Sequence, residues 1–362
     1  VIPKQKTLQL VFGEEKFTIA MNSKVHRRFA GEYSDWRRRN RRAAKEWQSA
    51  QHYWFYAIPP KDYFEKHPEY YSLIGGKRVP KQLCVSNPEL RKLMLQKAKD
   101  FFRTRPYAVS FPMDPEDNFD HCQCDACRAL DLTDQALSGY PSISNRVADF
   151  ANFVARGIRD EFPDKKVGYY AYANKKSPPD IKLESNIFVP YTRDSSSLIH
   201  LMPDPKVPSS IEYWQLLEKW LKKCSDMYVY EYDPVSWTGS LYSPIYLQRA
   251  KAIKKQYEMG IQGIINDTNR ADATLFMNKY MELRFKNNPR LNPEDELADV
   301  CNRFFGKAGK FMNRYYLELA KVTDCKEDVR FGIAGYDRIF SKKMVKRSSS
   351  FLKRAIKIAD KE

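Results

Sequence analysis

Between residues 108 and 267, strand-like apolar runs alternate with helix-like ones, and this alternation leaves the chain few folds to choose from. Strand signals stand at 108–111, 166–172, 186–191, 227–233 and 261–267, with helical periodicity at 142–162, 210–223 and 244–259. Strands joined through helices run parallel, and their crossovers share one hand. An aromatic run, Gln51 to Ile58, closed by Pro59-Pro60, adds a strand signal upstream, and a helix is expected from Pro88 to about Phe102. No G-x-G-x-x-G or phosphate loop follows a strand, which disfavours a nucleotide-binding sheet. The expectation is an α/β chain with a (β/α)8 TIM-type barrel, irregular in places, over 25–271. Residues 1–24 alternate apolar and polar (Leu8, Leu10, Phe12; Phe17, Ile19) and read as a hairpin, the remnant of an N-terminal β region. From 272 to 362 strand signals stop, and a helical extension is expected.

Composition narrows the partners. No run of about 18 apolar residues exists, so no spanning helix is expected. The chain begins at Val1 without a charged-then-apolar leader, which reads as a fragment or processed form. A net charge of +17 would hold polyanions or acidic glycans near the surface. Nucleic acid is disfavoured, because no recognition motif accompanies that charge. The run Trp36-Arg37-Arg38-Arg39-Asn40-Arg41-Arg42 reads first as a solvated helix face. Oligomeric state is not legible. The seven cysteines form an odd set, which argues against a complete disulfide framework. Cys224, Cys301 and Cys325 read as small buried residues.

The densest chemistry lies in Ala108 to Leu130. The strand there runs into Asp114, Glu116, Asp117 and Asp120, then into His121-Cys122-Gln123-Cys124-Asp125-Ala126-Cys127. Glu231 and Asp233 end the 227–233 strand, and Asp267 ends the next. In a barrel those ends meet on one face. Paired carboxylates, one donating a proton and one acting as nucleophile or stabiliser, are the equipment of glycoside hydrolysis. Helix capping and pairing with arginines are the plain alternatives. His52, Trp54, Tyr172, Tyr232 and Trp237 fall at or just past strand ends, where aromatic faces suit sugar rings; some would be core instead. Cys122, Cys124 and Cys127 are close enough to share a metal, with Cys84 or His121 as the fourth ligand of a structural zinc. A disulfide and unligated thiols are the other readings. No cofactor is expected for catalysis.

Several segments carry a family resemblance. IPKQKTL at 2–8, W-x-x-x-N-R at 36–41, PPKDYFEKHPEYYSLIGGKR at 59–78, QLCVSNPEL at 82–90 and EDNFDHCQCDACRALD at 116–131 resemble the bacterial DUF4838 family. So do AYANKKSPPDI at 171–181, VYEYDP at 229–234 and FFGKAGKFMNRYY at 304–316. The resemblance implies relatives among retaining endo-β-N-acetylglucosaminidases of glycoside hydrolase family 163, a (β/α)8 barrel, a glycan substrate, and a secreted, periplasmic or cell-surface setting. Carried over by position, the family's N-D-N falls on Glu116-Asp117-Asn118 and its W-D-Y on Tyr230-Glu231-Tyr232, with Glu for Asn, Tyr for Trp and Glu for Asp. The family's Gly-His is Gln51-His52 here. The expected catalytic pair is Glu231 as acid/base and Asp117 as nucleophile or orienter of a substrate acetamido group, with Asp267 as the alternative partner. The acid would need to stay protonated near neutral pH, which burial against Tyr230, Tyr232 and Trp237 would favour. Substrate contacts are expected from His52, Trp54, Asn118, Tyr172, Tyr232, Trp237 and Asp267. Two readings compete with the enzyme: a catalytically silent glycan-binding protein on the same barrel, and a polyanion-binding protein.

Overall fold

The computed structural model describes residues 52–132, 140–232, 242–267, 272–330 and 334–359. The expected N-terminal hairpin, the arginine run, Asp233 and Trp237 lie outside them. A hairpin opens the described chain, with β1 (Tyr71–Ile74) antiparallel to β2 (Lys77–Leu83). Its turn needs φ above zero at two successive positions, and Gly75 (+55°) and Gly76 (+78°) supply it without steric cost. Helix α1 (Pro88–Thr104) starts where the Asn87 side chain accepts from the Glu89 and Leu90 amides, with Pro88 in the first turn. Its Leu90, Met94, Ala98 and Phe101 make one buried face.

The sheet follows in strict sequence order: β3 (Ser110–Pro112), β4 (Lys166–Gly168), β5 (Ile187–Thr192), β6 (Met227–Tyr232) and β7 (Gly263–Asp267), all parallel. Helix α2 (Ser144–Ile158) joins β3 to β4, α3 (Pro208–Leu221) joins β5 to β6, and α4 (Tyr246–Glu258) joins β6 to β7. Because order follows sequence, right-handed crossovers place these helices on one face of the sheet. Tyr169 and Tyr191 turn to that face, Tyr169 edge-on to Trp220 at 6.5 Å and Tyr191 donating to the Tyr213 carbonyl at 3.2 Å. Gly168, Phe188, Tyr228 and Tyr230 turn to the other. There a Cβ on Gly168 would stand 2.2 Å from the Phe188 ring, so only glycine lets that ring lie down.

Three expectations differ from what the structure shows. No closed barrel is found among the described residues: the sheet has five strands, with edges at β3 and β7. The strand expected at Gln51 to Ile58 shrinks to one parallel bridge, His52 to Asp114, and the chain then turns into a helix at Trp54–Ala57. The physical reason is the burial of Trp54, whose indole N–H donates to the Met113 carbonyl at 2.9 Å. β4 also stops at Gly168 rather than 172, because the Tyr170 amide donates to the Asp114 carboxylate at 2.8 Å.

Helices α5 (Asp272–Asn287), α6 (Pro293–Phe305), α7 (Gly309–Leu319) and α8 (Lys342–Ala359) complete the chain. They form the expected helical stretch around a second core that includes Met281, Phe285, Leu297, Cys301 and Met312. No helix among the described residues is long and apolar enough to cross a membrane.

Candidate functional site

The carboxyl ends of β3 and β4 converge on one group of polar side chains. Asp114 follows β3 and is fully buried. Its Oδ1 accepts from Tyr170, while Oδ2 lies 3.3 Å from His52 Nδ1 and 3.4 Å from Lys175 Nζ. Burial raises this carboxyl above the usual range; Lys175 and His52 pull it back. His52 is about one-third exposed and also contacts the Pro115 carbonyl through Nδ1. Its Nε2 stands 3.9 Å from Asp117 Oδ1, and Asp117 is 65% exposed. Burial, then the charge of the nearby Asp117, push the Tyr172 phenol well above its ordinary value. Rings of Tyr170 and Tyr172 stand edge-on to His52 at 6.5 and 6.3 Å. Tyr170 meets Tyr230 at 5.4 Å, which carries the aromatic wall to β6.

The acidic loop is held from below by the hairpin. Gln82 donates to the Glu116 carbonyl at 2.6 Å and to Asn118 Oδ1 at 3.1 Å, and accepts from the Glu116 amide. The Glu116 side chain accepts from the Phe55 amide at 2.8 Å, so it ties the loop to the His52 segment. The wall at β4 rests on a strained residue. Ala173 has φ +50°, a left-handed conformation uncommon outside glycine, between Tyr172 and Lys175. Its amide donates to Asp194 Oδ2 at 2.9 Å, and the buried Lys176 pairs with Asp194 Oδ1. That anchor keeps the turn in place.

Glu231 is not brought to Asp117. Strand parity turns Tyr230 and Tyr232 to the aromatic wall and Glu231 to the helices, where it is 1% exposed. Arg193 Nε lies 2.8 Å from it, Arg249 Nη1 2.7 Å, and the Gln256 amide donates at 2.8 Å. Burial alone would raise its carboxyl, but Arg193 and Arg249 outweigh burial and hold it at about 2. The expected protonated acid is an ionised structural carboxylate instead. Trp54 is likewise buried, and cannot stack on a sugar. Asn118 is a loop tie, bonded to Gln82 and to the Lys81 carbonyl. Tyr232 is 8% exposed behind Tyr230. Asp267 ends β7 opposite Tyr232 in the register; its side chain lies outside the described residues. Of the expected site residues, His52, Asp117 and Tyr172 stand together. Gln82, Lys175 and the partly buried Tyr170 were missed as individual roles, although Gln82 and Lys175 fall within the segments QLCVSNPEL and AYANKKSPPDI.

Beside this group, the sulfurs of Cys84, Cys122, Cys124 and Cys127 all lie within 4.8 Å of one another. Cys84 Sγ is 3.7 Å from Cys124 and 3.9 Å from Cys127. A disulfide bond would need about 2.05 Å. β2 delivers Cys84, and the Asp125–Arg128 helix carries Cys127. The Leu73 amide donates to Cys122 Sγ at 3.3 Å, and Arg146 donates to the Cys122 carbonyl at 2.8 Å. Four sulfurs around one centre could hold a metal ion. His121, the other candidate ligand, is not among the clustered groups, and burial, then Arg146 and Lys175, press its ring down to about 3. A cavity of about 560 Å³ lies elsewhere, between Asp131, the Ser177–Asp180 loop and the lysines ending α3.

Fold and site together define an α/β protein with acid groups and aromatic rings at its strand ends and a four-cysteine cluster beside them. The chain belongs to the family called DUF4838, a domain of unknown function, which matches residues 1–317. No curated protein matches the chain. No solved structure does either.

Proposed function

We propose that this protein is a retaining glycoside hydrolase acting on an N-acetylglucosamine-containing glycan, with Asp117 as its working carboxylate. The observation that carries this reading is the exposed Asp117, 3.9 Å from His52 Nε2 and close enough to Tyr172 for its charge to act on that phenol, beside the Tyr170–Tyr230 pair. An open carboxylate beside aromatic faces suits a pyranose ring, and Asp117 would attack the anomeric carbon or orient the substrate's acetamido group. The sequential parallel sheet with helices on one face suits a (β/α)8-type arrangement, and the parallel His52–Asp114 bridge is in keeping with it. Asp267, at the end of β7, remains the alternative partner carboxylate of this reading. The family's resemblance to endo-β-N-acetylglucosaminidases supports it as well.

One observation favours a second reading, a catalytically silent glycan-binding protein: Glu231, at the family's W-D-Y position, is neutralised by two arginines. Digestion of a panel of N-glycans, read by mass spectrometry and repeated with Asp117→Asn, separates the two. An enzyme releases sugar and the variant does not; a binder retains glycan and releases nothing. The anomer first formed, followed by NMR, tests retention.

The cysteines fit structural zinc. A tetrahedral site with Zn–S near 2.3 Å sets its sulfurs about 3.8 Å apart, close to the 3.7 and 3.9 Å found. The metal would fasten the Asp117 loop to β2 and take no part in the chemistry.

A further inference from the structure

We infer that His52, held by Asp114, is the group that moves the proton at this site. The inference rests on the glycosidase reading and adds to it the acid/base that Glu231 does not provide.

The ring's two nitrogens face different surroundings. Nδ1 meets acceptors, the Asp114 carboxylate at 3.3 Å and the Pro115 carbonyl, so in the neutral ring the proton sits on Nδ1. Nε2 is then the basic atom, and it faces Asp117 at 3.9 Å on the exposed side of the group. Asp114 is placed to keep that orientation. It is buried, one oxygen is taken by the Tyr170 amide, and the other has only the ion contacts with His52 and Lys175. A buried carboxylate on one imidazole nitrogen fixes the tautomer and stabilises the imidazolium. Among the described residues, the charged and titratable groups facing His52 are Asp114, Asp117, Lys175 across Asp114, and the Tyr170 and Tyr172 rings.

The step balances. The His52 imidazolium gives its Nε2 proton to the glycosidic oxygen as the bond from the anomeric carbon breaks, and the bonding pair stays on that oxygen. A lone pair from Asp117, or from the acetamido oxygen it orients, forms the new bond to the anomeric carbon. In the second half Nε2 takes a proton from water, and the water oxygen displaces that bond.

The test uses kcat/KM for two aryl β-N-acetylglucosaminides, phenyl and 2,4-dinitrophenyl, with wild type and His52→Gln. A phenol leaving group needs protonation; dinitrophenolate does not. His52→Gln is expected to lose about 10²–10⁴-fold on the phenyl substrate and less than about tenfold on the dinitrophenyl one. Equal loss on both, or no loss, overturns the inference while wild-type turnover leaves the glycosidase reading standing. A wild type inert to both overturns the two together. If His52→Gln melts early, Asp114→Asn decides. Without the carboxylate the ring is no longer held with Nε2 toward the site, and Asp114→Asn is expected to lose more on the phenyl than on the dinitrophenyl substrate; equal loss on both, or no loss, overturns the inference.

Discussion

Asp117 and Glu231 are both carboxylates at the ends of parallel strands, and they have opposite fates. Asp117 is 65% exposed, on a loop, near His52 and Tyr172. Glu231 is sealed between sheet and helices by Arg193, Arg249 and Gln256. The difference comes from where each sits: Asp117 lies on the loop past β3, free of strand parity, whereas Glu231 is inside β6 and parity fixes its side. A side chain on β6 that turns to the aromatic wall could meet a ligand, whereas its neighbour meets α3 and α4. Position at a strand end therefore brings a carboxylate to the right height, and parity within the strand decides whether it faces the aromatic wall or the helices.

The largest expected effect lies beneath Asp117. Cys84→Ser should take metal content from about one zinc per chain to near none, and chelation of the wild type should do the same. Because metal binding is folding free energy, the melting temperature falls and the 113–131 loop becomes sensitive to protease. Wild-type protein without zinc and with four freely titrating thiols would remove the cluster from the comparison.

Next comes Glu231 itself. Removing one partner of a buried, doubly paired carboxylate costs about 3–5 kcal/mol, so Glu231→Gln should unfold at clearly lower denaturant. Asp117→Asn, at an exposed position, should stay within about 0.5 kcal/mol of wild type and lose turnover instead. If Asp117→Asn proves the more destabilising, the contrast is reversed. The pH dependence carries the same sign. The Glu231 carboxyl lies at about 2 in the fold against 4.5 ordinarily, so its contribution is complete above about 4.5 and is lost as pH falls toward 2. That difference is worth roughly 3 kcal/mol. The acid limb of the stability curve should flatten in Glu231→Gln.

How much of this was legible follows from the same parity. The order of strands and helices from 88 to 267 could be read because each element carries its own periodicity and stop signals, such as Asn87-Pro88 and Gly260. Cys84 was one of two readable fourth ligands; choosing it over His121 needed the β1–β2 hairpin, which swings Cys84 beneath the loop. The side to which Glu231 points was not legible. Tyr230 and Tyr232 flank it, both faces of β6 are lined by rings, and the arginines that claim it come from the end of β5 and from α4. Trp54 misled in a similar way, since an aromatic beside a strand end suits core and sugar equally. Closure of the sheet depends on edge pairing, which no single strand encodes.

The smallest effect concerns Ala173. Its φ of +50° costs about 1–2 kcal/mol relative to an ordinary conformation, and Ala173→Gly removes that cost. Glycine also makes the unfolded chain more flexible, which destabilises by about 0.5–1 kcal/mol. The two nearly cancel, so the melting temperature should move by no more than a few degrees, and upward if at all. Activity should still fall. The residue lies between Tyr172, near Asp117, and Lys175, 3.4 Å from Asp114. A more flexible residue there would let that spacing vary beyond what the Asp194 anchor restrains. Ala173→Val keeps the left-handed backbone at a higher cost, since a branched Cβ is worse there, and should melt lower. A glycine variant that matches wild type in both stability and turnover would show that the turn is held by Asp194 and Lys176 alone, and that the backbone strain at this wall has no functional part.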